Sequence, residues 1–160
     1  MIIVEDVLSS IVEKMPAFDL FDDRSNFPVF GWGVKDELNR FLDAEKNKAY
    51  PLIWLIPSVK TYGVGQVNQT SELVFAVNFT KDIEDWDNRE RMDSTFKRIL
   101  YPLIESFLQT VHRSHNMSFD NTDYSIEDYP NYSLSNRAND VIDLWDACII
   151  KLDAVYFNKC

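Results

Sequence analysis

Residues 148–157 read CIIKLDAVYF, and apolar side chains occupy both alternations of the stretch. Cys148, Ile150, Leu152, Ala154 and Tyr156 fall on one side, and Ile149, Val155 and Phe157 fall on the other with Lys151 and Asp153. A period of two predicts a long strand, and this composition predicts burial on part of each face. A second alternation runs through residues 72–80. Leu73, Phe75, Val77 and Phe79 face one way, and Glu72, Val74, Ala76, Asn78 and Thr80 the other. The β-branched and aromatic content again predicts a strand. LIWLI at 52–56 lies between Pro51 and Pro57. It is too short and too continuously apolar for a surface helix, so it reads as a buried strand.

Other segments carry helical spacing. In residues 2–15, Ile3, Val4, Val7, Leu8, Ile11, Val12 and Met15 form a stripe opposite Glu5, Asp6, Ser9, Glu13 and Lys14, and Pro16 ends it. A short helix is expected over 34–46, with Val34, Leu38, Phe41 and Leu42 inward. The main helix carries Phe96, Ile99, Leu100, Leu103, Ile104, Phe107, Leu108 and Val111 inward. It starts either near Trp86 or at a cap on Asp93 or Ser94. Pro102 falls inside it, where the missing N–H and the ring predict a bend near Arg98–Leu100.

Between these elements, 17–33 reads as an ordered aromatic loop with a short extended piece. Residues 61–71 suit a hairpin or mobile loop, and 115–135 a long polar loop with room for one irregular strand. The order α, α, β, β, α, (β), β predicts an α+β fold: a small antiparallel or mixed sheet with helices packed on one face. One domain over 1–160 is expected, with flexible loops at about 61–71 and 115–135.

Composition narrows the classes. The chain has 160 residues, 46% hydrophobic, enough for one domain with a core. The longest apolar run, PLIWLIP, is far below the roughly 20 residues of a membrane helix. The first residues lack a basic stretch and read as an amphipathic helix in place of a secretory signal. Cys148 and Cys160 fit a reducing compartment. A formal charge of −10 argues against a protein that grips phosphates, which needs a basic stripe.

Candidate chemistry is sparse. His112 and His115 sit where the main helix ends, a position that favours histidine without any metal. Asp82, Glu84, Asp85 and Asp87 supply negative charge at a helix start, the common use of such a cluster. FGWG and YGVG lack the Lys-Ser/Thr of a phosphate loop. No catalytic residue, cofactor or metal is expected. The aromatic residues Phe27, Phe30, Trp32, Tyr62, Trp86, Trp145 and Tyr156, several of them in or beside loops, fit either a satellite core or a subunit contact.

The succession YPLIWLIP, the alternating strand ending NFTKDI, the helix FKRILYPLIESFLQTV and NDVIDLWDACIIKLDAVYF resembles small neck and tail-completion proteins of tailed bacteriophages. The nearest pattern is that of tail-terminator or head–tail joining ring proteins, such as those of crAss-like phages. The resemblance implies a non-enzymatic virion protein, assembled in the host cytoplasm. It also implies self-association into a ring that contacts portal, neck or tail proteins and lets DNA pass without specific binding. Phe27, Phe30, Trp32, Tyr62, Val155 and Phe157 are then interface candidates. Asp82, Glu84, Asp85 and Asp87 are lumen candidates. Two other readings stand beside it: a small adaptor that binds a protein partner through the 17–33 aromatics, and a metal-dependent hydrolase using Asp82, Asp85, Asp87, His112 or His115.

Overall fold

A computed structural model describes residues 1–20, 25–78, 87–119, 124–129 and 145–157. In chain order the elements are α1 (Val4–Glu13), β1 (Phe18–Asp19), β2 (Ser25–Asn26), β3 (Val29–Trp32), α2 (Lys35–Glu45), β4 (Leu52–Ile56), β5 (Lys60–Gly63) and β6 (Gln66–Asn78). A continuous helix over 88–114, here α3, follows, and then β7 (Met117–Phe119), β8 (Ser125–Tyr129) and β9 (Trp145–Phe157). The fold is α+β, as the pattern predicts.

The two strongest alternations of the sequence are partners. β6 and β9 run antiparallel along their full length, from Gln66 opposite Phe157 to Asn78 opposite Trp145. Short strands flank this ribbon. On the β6 side, β4 pairs antiparallel with its upper half and β5 with its lower half. β3 then lies parallel to β4. On the β9 side, β8 covers residues 147–151 and β7 covers 154–156, both antiparallel. β1 and β2 pair only with each other.

Phe75 meets the edge of the α3 residue Phe107, with ring centroids 5.5 Å apart, so this face of the ribbon is the one under α3. α1 packs beside α3 on that face and reaches β3. Trp54 alternates with Ile53 and therefore points the other way, where Phe41 of α2 packs on it at 5.6 Å. The two larger helices thus share one face, while α2 covers the upper half of the other. That double cover explains why Val74 and Phe75, adjacent in sequence, are both buried. Below it the second face opens. Asn68, Thr70, Lys151 and Asp153 are exposed, and Val155 and Phe157 are half-buried.

The three segments expected as loops with extended pieces or a hairpin contribute strands to the sheet. Within 17–33, β3 is a sheet strand despite Pro28 and two glycines. Residues 61–71 form the β5–β6 hairpin, the first of the two forms expected there. The polar segment 115–135 contains two strands, β7 and β8, where one was expected. The main helix starts at Asn88, not at a cap on Asp93 or Ser94. Asp87 and Glu90 form a reciprocal cap: Glu90 N–H donates to the Asp87 carboxylate and Asp87 N–H to the Glu90 carboxylate, each at 2.9 Å. Pro102 is answered by a change of helical register. Residues Met92–Leu100 are π-helical, and Tyr101 N–H bonds the carbonyl of Phe96, five residues back. The wider turn relaxes the crowding that the proline ring would impose on the Arg98 carbonyl in an α-helix.

Leu152 is buried under the helical layer and Lys151 is exposed beside Glu127 at 3.4 Å. Leu152→Asp is expected to cost roughly 3 kcal/mol or more by burying an unpaired charge. Lys151→Asp is expected to cost about 1 kcal/mol or less. Denaturant midpoints check this, and equal losses would mean the faces of β9 are assigned wrongly.

Gly31 is a packing requirement. A Cβ there would lie 2.4 Å from a ring carbon of Trp54, which is itself buried. Gly31→Ala is expected to lower stability by about 1–3 kcal/mol in thermal melts. Gly63→Ala, where the nearest atom is 3.4 Å away, should change it far less.

Candidate assembly interface

Cys148, Tyr101 and Tyr156 are engaged in structure. Cys148 is buried, and its thiol donates to the Asp128 carboxylate at 3.2 Å across the β8–β9 pair. The other carboxylate oxygen of Asp128 accepts from Tyr101 Oη at 2.5 Å, which ties α3 to β8. Burial first, and then the Asp128 hydrogen bond and charge, push both the thiol and the Tyr101 hydroxyl well above their ordinary ranges. A thiol held protonated is a poor nucleophile at neutral pH. Tyr156, also buried, shares a 2.8 Å hydrogen bond with Ser71, and burial pushes its hydroxyl up to about 12.

A buried ion pair links the main helix to the last strand. Arg91 Nη1 donates to Asp146 Oδ1 at 2.8 Å, with both side chains 1% exposed. Beside it, Trp145 Nε1 donates to Tyr50 Oη at 2.7 Å. The sequence reading did not pick out the ion pair, yet it had a signal. Asp146 falls on the same alternation as Cys148 and Ile150, which face α3, and Arg91 lies one turn before the buried Thr95. A charge on an inward phase demands an opposite charge inside.

Of the carboxylates proposed for a lumen, Asp82, Glu84 and Asp85 lie outside the described residues. Asp87 is exposed but serves as the cap of α3. His112 and His115 are exposed at the end of α3, where His115 takes the left-handed cap conformation at φ 59°. They border an open groove of about 300 Å³ with Leu108, Val111, Phe119 and Phe157. Among the described residues, no group of three His, Cys, Asp or Glu side chains is arranged to hold a metal ion.

The exposed aromatics gather differently. Phe27 is 68% exposed, Trp32 51% and Val34 64%. Phe30 is half-buried and stacks on Trp32, with centroids 6.0 Å apart. All four lie on or next to β3, the outermost strand on the β6 side. From Asn26 to Val34 the chain has no charged residue. Exposed edge strands are ordinarily kept from pairing with another chain by charges, bulges, prolines or short length; this edge has Pro28 and only four residues, but no charge. Tyr62 is about half exposed on β5, further down the same side, next to the fully exposed Val64 of the hairpin turn. Val155 and Phe157 sit apart from these, at the lower end of β9.

No protein-family model matches the chain, and no curated protein matches it in sequence. No helix among the described residues is long and apolar enough to cross a membrane.

The buried acids set an alkaline limit. Cys148 and Tyr156 hold their protons more tightly folded than unfolded, so their contribution is full below the unfolded values, 9.0 and 10.0. It is lost as pH climbs through the folded ones. Melting temperatures should therefore be flat from pH 7 to 9 and fall steeply by pH 12. In the native protein at pH 8, a thiol reagent should leave Cys148 unmodified until denaturant is added. Rapid native labelling of Cys148 would contradict this placement.

Proposed function

We propose that this chain is a structural virion protein that forms a ring at the neck or tail end of a tailed phage, around the path of DNA. The observation that carries the reading is the uncharged, aromatic edge at β3. A chain of net charge −10 has ample charge with which to protect that edge, yet none lies between Asn26 and Val34. Such a patch marks a surface covered in the working assembly. The order of elements that resembles tail-terminator and head–tail joining proteins supplies the rest of the reading. The engagement of Cys148, Tyr101, Asp87 and Asp146 in capping, hydrogen bonding and ion pairing agrees with a structural role. In the ring, copies contact one another and neighbouring portal, neck or tail proteins. The acidic balance keeps passing DNA from sticking to the lumen, since phosphates are repelled by carboxylates.

The same aromatic edge suits a small adaptor that binds one protein partner, and stoichiometry separates the two. Native mass measurement across about 1–100 μM, with electron microscopy of the same samples, should show closed rings of one copy number, alone or once a phage neck or tail component is added. Duplex DNA should not be retained at physiological salt. A chain that stays monomeric and forms only a 1:1 complex with its partner would favour the adaptor and overturn the ring.

A further inference from the structure

Among the described residues, the two outer edges of the sheet, β3 and β8, match each other. Register partners run straight across it: Trp32 is level with Leu55, Leu73, Ile150 and finally Ile126. By the same ladder, Val29 is level with Leu52, Ala76, Ala147 and Tyr129. So β3 on one edge and β8 on the other stand at the same height along the strands. Their directions are opposite. β3 runs with β4, which opposes β6, as β9 does; β8 opposes β9.

We propose that copies of this chain join side by side through these edges, β3 of one copy lying antiparallel to β8 of the next. This rests on the ring reading and names its contact. The contact is heterologous, so it closes into a ring or climbs into a helix, depending on the rise per copy. Edges at equal height bring no rise along the strand axis, which selects the closed ring.

The side chains agree with this pairing. Trp32 and Ile126 project from the same face of the sheet, and both are exposed in the single chain, as is Tyr124 just before β8. The main chain of β3 is disposed for it. Val29 N–H and Gly33 N–H donate inward, to Pro51 and Leu55 carbonyls. Phe30 and Trp32, on the alternate phase, present their amides outward. The two symmetric alternatives are poorer. A β8–β8 contact centred on the strand sets Glu127 against its own copy, and like charges opposite one another destabilise a strand pair. A β3–β3 contact leaves Tyr124 and Ile126 bare.

Engineered cysteines test the contact, with Cys160→Ser removing the terminal thiol. Opposed residues of an antiparallel pair have Cα atoms about 4.5–5.5 Å apart, within disulfide range. The double variant Trp32→Cys/Ile126→Cys should, on mild oxidation, give a ladder of covalent multimers that stops at the ring number. The two single variants mixed should give dimers, and each alone should stay monomeric on denaturing gels. Trp32→Cys paired with Ser125→Cys, which points to the other face, should link at least tenfold less. Trp32, Ser125 and Ile126 are exposed edge positions, and unchanged melting curves confirm the fold. Self-linking of Trp32→Cys alone would mean a β3–β3 contact and overturn the proposal. Rings seen by electron microscopy without the Trp32–Ile126 link would overturn this edge assignment while leaving the ring reading intact. A chain monomeric under every condition would remove both.

Discussion

The pairing of β6 with β9 is the constraint on which the molecule depends. Thirteen residues of each strand face each other without a break, across a sequence separation of about seventy to ninety residues. In the seven-stranded sheet, every other described strand except β3 bonds directly to one of these two, and β3 does so through β4. The ribbon also explains the divided use of its faces. Its upper half is buried on both sides because helices cover both, and its lower half is covered on one side only. The apolar residues of β9 follow that division. Ile149 is inside under double cover, while its lower counterparts on the same alternation are Lys151 and Asp153, in solvent.

A long, regular ribbon needs something to fix its register, because sliding one strand by a single residue exchanges its faces. Asp146 and Arg91 supply a strong selector. Removing two charges from water costs several kcal/mol per ion, and the attraction between them returns that only when they meet in good geometry. The pair therefore adds little to stability compared with an apolar pair of the same shape. In a slipped register, however, Asp146 would turn away from α3 and break its ion pair with the buried Arg91. The penalty falls on the wrong structure. Trp145 works in the same sense, since its indole N–H reaches Tyr50 only from the α2 side of the sheet. Adjacent residues at the head of β9 thus anchor opposite faces.

How far the sequence could be read follows from these same features. β4, the upper part of β6, β9 and all three helices were legible because burial on one or two faces leaves a periodic trace. β3 was not, since VFGW is short, lies between Pro28 and Gly33, and uses Gly31 where the Trp54 ring leaves no room for a side chain. That glycine reads as a loop signal until Trp54 is placed beside it. β7 and β8 were hidden for the opposite reason. They are edge strands with one exposed side each, and residues such as Ser125, Glu127 and Asp128 give no apolar alternation. The proline in α3 was visible, but its answer was not, because the apolar spacing of Phe96, Ile99 and Leu100 fits an α-helix as well as the wider turn that forms. Of the interface candidates, the β3 aromatics are exposed together, whereas Val155 and Phe157 lie elsewhere, so sequence found the patch without its shape.

Strength in this sheet is concentrated at the centre and adaptability at the rim. The central pair carries the long ladder, the buried aromatic contact with α3 and the ion pair. The rim strands are three to five residues each, and a net hydrogen bond contributes only about 0.5–1.5 kcal/mol. Changes at β3 or β8 side chains that face solvent therefore leave the core largely as it was. In the ring proposed above, that separation lets the chain fold before its edges are engaged. Its edges can be selected for what they meet outside the chain, while the β6–β9 ribbon holds the shape that brings those edges to equal height.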